Sequence, residues 1–165
     1  MHMTKTLKSA LVLAGALALF VPLRAQQVGH PPVKVVLSQS KIVVANGVEH
    51  KQSADKVLPG DVIEYVVECK NPDTKAVSDV KPVIPVPAGL EYIPQTASPL
   101  PVMASIDGKN YAPVPLKRSV QGADGKMVEQ LVPYSEYRSL QWNLGILDAG
   151  ASKSVKARMK VKAAN

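Results

Sequence analysis

The sequence predicts an all-β fold, an antiparallel sandwich of eight to ten short strands, on three observations. Beyond residue 25, apolar and polar residues alternate with a period of two in short runs, which is the pattern of strands with one face buried. Turn-forming clusters separate those runs: Asn46-Gly47, Pro59-Gly60-Asp61, Asp107-Gly108, Ala123-Asp124-Gly125 and Asp148-Ala149-Gly150. No stretch there sustains the 3.6-residue apolar period of an amphipathic helix.

Residues 1–25 are set apart. Lys5 and Lys8 form a basic start, Ser9–Leu23 an apolar run, and Ala25 a small residue at the expected cut before Gln26. That is the layout of a secretory signal peptide. The apolar run is shorter than the roughly 18–20 residues of a membrane span. An uncleaved anchor is the alternative, and Leu23 is large for its place three residues before the cut. With no Cys near the cut, lipid anchoring is not expected. The expected organisation is a signal peptide over 1–25 and one sandwich domain over 26–165, exported to the periplasm, outer surface or extracellular space. The chain carries 20 Lys and Arg against 13 Asp and Glu, so losing Lys5, Lys8 and Arg24 leaves a surplus of 4. So mild a balance on an exported chain argues against nucleic acid as a partner.

Each element follows in order. Gln26–Pro32 is a polar lead-in, and Val33–Leu37 reads as a first strand. Lys41–Ala45 and Val48–Lys51 flank Asn46-Gly47, the strongest short hairpin signal, because both turn positions need positive φ. After the polar connection Gln52–Val57 comes the clearest strand, Asp61–Lys70. Ile63, Tyr65, Val67 and Cys69 share one face of it, and Glu64, Val66, Glu68 and Lys70 the other. Asn71-Pro72-Asp73 ends it. Val77–Ile84 is a strand interrupted by Pro82, hence at an edge or bulged. Leu90–Ile93 is short, and Pro94–Pro101 is a loop. Val102–Ile106 and Asn110–Val114 form a second hairpin around Asp107-Gly108. Val120 and Met127–Val132 bracket a third. Tyr134–Tyr137 is a corner, and Leu140, Trp142 and Leu144 mark a further strand. Ser152–Lys162 closes the fold, with Val155, Ala157, Met159 and Val161 inward. Short strands at regular turn spacing indicate immunoglobulin-like architecture.

Several of these residues together resemble a known family. Pro59-Gly60-Asp61, Glu64-Tyr65, Asn71 and Pro87-Ala88-Gly89-Leu90-Glu91-Tyr92 are similar to the conserved repeat domain of bacterial and archaeal surface proteins, an immunoglobulin-like family of unknown function. Ser105-Ile106-Asp107-Gly108-Lys109, Tyr137-Arg138, Gln141-Trp142 and Ala149-Gly150-Ala151-Ser152 resemble its single-domain secreted members from Gram-negative bacteria. The resemblance runs from about Val33 to Val161, and Cys69 departs from it. It implies a fold, an envelope or surface location and roles as spacer or adhesive module. It brings no catalytic residues.

Candidate chemistry is sparse. His30 and His50 lie in the lead-in and a hairpin arm, with no nucleophile elbow nearby, so no enzyme activity is expected. One Cys and two separated His make no zinc site, and the Asp residues before Gly serve turn geometry. No cofactor is implied. Cys69 reads as a small buried hydrophobe rather than an intermolecular disulfide or a reactive thiol. The sharpest feature is the outward stripe Lys156, Arg158, Lys160 and Lys162. It is a candidate for an anionic glycan or lipid head group, against the plainer reading of lysines that discourage edge pairing. Trp142 lies between Leu140 and Leu144 on an inward face, and Tyr134 and Tyr137 fit a structural corner as well as an exposed platform. The leading expectation is a non-catalytic structural or interaction module. It would present a sheet face or edge strand to an envelope or surface protein, or to another copy, with Gln26–Leu37 as a candidate donated strand.

Overall fold

A computed structural model describes residues 33–163. The expected signal peptide and the Gln26–Pro32 lead-in lie outside the described residues. The strands, in chain order, are β1 (Lys34–Ala45), β2 (Val48–Gln52), β3 (Val62–Lys70), β4 (Val77–Val80), β5 (Val83–Pro85), β6 (Leu90–Tyr92) and β7 (Met103–Ser105). They continue as β8 (Ala112–Pro113), β9 (Lys117–Gln121), β10 (Met127–Leu131), β11 (Ser139–Gln141), β12 (Gly145–Leu147) and β13 (Ser152–Val161). One 3₁₀ turn covers Tyr134–Glu136. Among the described residues no helix is long and apolar enough to cross a membrane.

All pairing is antiparallel. One sheet has five strands in the order β2-β1-β3-β13-β6, and another has four, β5-β11-β7-β8. β4 pairs with β12, and β9 with β10. β3 is the centre of the larger sheet, bonded to β1 along one side and β13 along the other. Its core face is the one expected: Ile63, Tyr65, Val67 and Cys69 are all buried. They join Val155, Ala157 and Met159 of β13 and Tyr92 of β6. Ile84, Ala104, Leu140, Trp142 and Leu147 come from the opposite layer into the same cluster. The result is an all-β sandwich with one core.

The strand count exceeds the expected eight to ten, and prolines and glycines explain part of the excess. Pro82 has no N–H for the ladder, so the expected Val77–Ile84 strand breaks into β4 and β5. The facing strand breaks with it, into β11 and β12, and the register shifts between Gly145 and Leu147. Backbone bonds from Trp142 N–H to Pro82 O (3.1 Å) and Leu144 N–H to Val80 O (2.9 Å) bridge the gap. Elsewhere two expected elements merge: Val33–Leu37 and Lys41–Ala45 are parts of the single strand β1. Ser38, Gln39 and Ser40 look like a break in sequence, but β3 pairs with them without interruption.

The turn motifs do specific work. In Pro59-Gly60-Asp61, Gly60 has φ 93°, a conformation that favours glycine. The Asp61 carboxylate accepts from Leu58 N–H at 2.7 Å and pairs with Lys41 Nζ at 2.7 Å. Asn71, fully buried, donates to the carbonyls of Lys75 (2.8 Å), Leu147 (3.0 Å) and Asp148 (3.1 Å). It also accepts from Asp73 N–H at 3.0 Å. The β9–β10 hairpin is exposed along almost all of both strands, with Leu116 and Val132 buried at its base.

Candidate functional site

The outer face of the five-stranded sheet carries the residues singled out as a basic stripe. Residues directly opposite in an antiparallel pair share a face. Arg158 therefore stands opposite Glu64, Lys156 opposite Val66 and Lys160 opposite both Val62 and Glu91. Lys156 and Lys160 are exposed, while Lys162 lies past the end of β13 and is half-buried. Arg158 is committed elsewhere. Its guanidinium grips Glu49 of β2 through two bonds of 2.7 Å and donates from Nε to Glu64 at 3.1 Å. Lys51 Nζ reaches the other Glu64 oxygen at 2.6 Å. On the intervening strand Ser40 stands opposite Glu64 and Ile42 opposite Lys51.

Electrostatics follow the geometry. Burial opposes ionisation of Glu64, but the hydrogen bonds from Lys51 and Arg158 outweigh it and hold the carboxyl below its ordinary range. The Arg158 hydrogen bond likewise lowers Glu49, and Glu49 and Glu64 together raise Arg158. The face is thus of mixed sign. Glu49, Glu64, Glu68 and Glu91 alternate with the cations, and the strongest cation is already neutralised. Arg158 was singled out in the sequence without its partners, which lie 94 and 109 positions away.

The open edge of β1 is the site that the fold leaves unfilled. β2 bonds to β1 only from Lys41 to Ala45, whereas β3 covers it from Lys34 to Ile42. Among the described residues no strand pairs with the outer edge of 34–40. Across a two-residue hairpin turn the flanking residues, here Ala45 and Val48, exchange backbone bonds. Odd-numbered residues of β1 therefore aim N–H and C=O toward β2. Past Lys41 the same alternation aims those of Val35, Leu37 and Gln39 at the open edge. The other side of β3 agrees. Asn71 N–H donates to Ala151 O and Val161 N–H to Asp61 O, both at 2.9 Å. The odd residues flanking and within β3 thus turn to β13, and the even ones to β1.

The side chains along this edge are apolar and exposed: Val35 and Val36 at 61% and Leu37 at 48%. Val35 and Leu37 lie on the core-facing side, since they oppose Cys69 and Val67, but the second layer does not extend over them. Val35 instead lines an open recess of about 250 Å³ with Val33, Val77, Val80 and Pro82. Three other edge strands are guarded in the ways edges commonly are. β2 reads Val-Glu-His-Lys-Gln, β5 contains Pro85, and β8 is two residues long with Pro113. From Val35 to Ser40 there is neither charge nor proline. The sequence offered Val35-Val36-Leu37 as an ordinary strand, and only the topology shows that no strand among the described residues pairs with its outer edge.

The remaining candidates have structural roles. Cys69 is buried, and that burial, with Glu68 nearby, raises its thiol pKa. Tyr137 is buried and its hydroxyl accepts from Leu116 N–H at 2.8 Å. Trp142 Nε1 donates to Pro99 O at 2.8 Å, pinning the Pro94–Pro101 loop. Tyr134 packs edge-on against Tyr92 and Tyr137 at 5.7 and 5.3 Å between ring centres. With Pro94, Leu100, Pro113 and Pro115 it borders an apolar groove of about 570 Å³. His50 sits exposed on β2. Among the described residues no three His, Cys, Asp or Glu gather as a metal would require.

Comparison of the chain with known protein families, with characterised proteins and with solved structures finds no match in any of the three.

Proposed function

We propose that this chain is an exported, non-catalytic interaction module of the cell envelope or extracellular space, an immunoglobulin-like sandwich that works by offering a sheet edge to a protein partner. The observation that carries the reading is the open stretch Lys34–Ser40, with outward backbone groups at Val35, Leu37 and Gln39 and exposed Val35, Val36 and Leu37. Such an edge can exchange backbone hydrogen bonds and bury apolar side chains, which is how strand addition binds. The basic start and apolar run of residues 1–25 support export, and the resemblance carried by Pro59-Gly60-Asp61 and Pro87-Ala88-Gly89 supports a surface setting. Val33–Leu37 already serves its own sheet, so the edge receives a strand rather than donating one.

The test is recovery of bound protein from envelope fractions by the purified chain and by its Leu37→Lys variant. A partner held by the native chain and lost by the variant supports the reading. Recovery unaffected by the charge, or none at all from a native chain that is also monomeric, refutes it.

A further inference from the structure

Resting on edge presentation as the mode of contact, we infer that the strand added to β1 belongs to a second copy of this chain, laid antiparallel with Leu37 opposite Leu37. The open edge is a slot of defined length. At one end β2 takes over, with Gln52 opposite Lys41. At the other end β1 begins at Lys34: Val33 before it packs against the core, and Pro31-Pro32 before that lack the N–H groups to extend a ladder. Seven residues, Lys34–Ser40, remain. An antiparallel copy of the same seven fills the slot end to end: Lys34 faces Ser40, Val35 faces Gln39 and Val36 faces Ser38.

The backbone phase fits this register. Val35, Leu37 and Gln39 point their N–H and C=O groups outward, and each meets a residue of the same set. About six backbone bonds result, two for each hydrogen-bonded pair. Moving the axis by one residue either way breaks the fit. One direction drives Val35 into Lys41 of the other copy, which is already bonded to Gln52. The opposite direction needs Val33 to pair with Gln39, but Val33 lies outside β1 and packs against the core.

Charge raises no barrier. Lys34 is the only charged residue of the seven, and it faces Ser40 of the other copy. The two Leu37 side chains come side by side on the core-facing surface, covering apolar area that each copy leaves exposed. The contact is isologous, so it closes at two copies and does not propagate into a fibre. It joins two five-stranded sheets into one continuous sheet.

Sedimentation of the purified protein over a range of concentrations tests the inference, alongside three variants. A concentration-dependent dimer is expected. Leu37→Lys should leave a monomer with unchanged circular dichroism. Leu37→Cys should form a cross-linked dimer under mild oxidation, because facing Cα atoms of a hydrogen-bonded pair lie about 5.5 Å apart, within disulfide range. Gln39→Cys faces Val35 in this register and should stay uncross-linked, and the native Cys69 is buried. A native monomer at every concentration, a dimer that survives Leu37→Lys, or equal cross-linking by both cysteine variants overturns self-pairing. If the native monomer still recovers an envelope protein that Leu37→Lys loses, self-pairing fails while edge presentation stands. If it recovers none, both fail.

Discussion

Arg158 and Glu64 show how one residue pair governs a sheet face. Glu64 is only 2% exposed, and a carboxylate so placed must keep its partners. Arg158→Met should remove the bidentate grip on Glu49 and the Nε bond to Glu64 and leave Lys51 alone to compensate. A loss of about 2–3 kcal/mol in urea unfolding is expected, at the lower end for a broken buried pair. Glu49→Gln, which breaks a contact at the exposed rim, should change stability much less than Arg158→Met does. Acid sensitivity has a definite sign. Glu64, Glu49 and Asp61 all have carboxyl pKa values lowered by folding. Their contribution is present above the unfolded values, 4.5 for Glu and 3.8 for Asp, and is lost as the pH falls through the lower folded values. The urea midpoint should therefore hold level near neutrality and drop below about pH 4, less steeply in Glu64→Gln. A midpoint that rises on acidification would contradict this. Cys69, buried with a raised pKa, should resist a thiol reagent until the protein unfolds.

Among the elements, β3 was the most legible and β1 the least. Strict alternation marked Ile63, Tyr65, Val67 and Cys69 as one buried face, because a period of two translates directly into sides of a strand. β1 carries Val35-Val36-Leu37, as apolar as any core run, yet it lies at the sheet margin. Composition cannot tell a covered strand from an uncovered one, since cover depends on where the second layer ends. The ion network was illegible for a related reason: Glu49, Glu64 and Arg158 come from three strands, and their meeting depends on register. Asn71 looked like turn punctuation and proves to be a buried clamp between the end of β3 and the end of β12. Asn71→Leu leaves the carbonyls of Leu147 and Asp148 without their donor, and about 3 kcal/mol of destabilisation is expected. A thermal midpoint equal to the native one would show that the clamp carries little.

For the molecule as a whole, the central fact is one contiguous core spanning both layers. Antiparallel sandwich architecture was readable from turn spacing and the missing helical period. Division into separate short sheets was not, because Pro82 and Gly145 act on facing strands and their combined effect appears only when those strands pair. With a single core, unfolding should be all-or-none. Trp142 is the only tryptophan and is bonded to Pro99, so its fluorescence reports closure of the two layers. Its denaturant curve should coincide with that of far-ultraviolet circular dichroism, and separated midpoints would reveal independent units. The β9–β10 hairpin stands apart from this cooperative body. Val132 N–H bonds to Leu116 O at 2.9 Å where the arm leaves the core, and the turn Gly122–Lys126 lies at its far end, remote in the chain from Leu37. That makes it an anchorage point: a tag or tether spliced into the turn would let single molecules be held and pulled while the β1 edge stays free to bind.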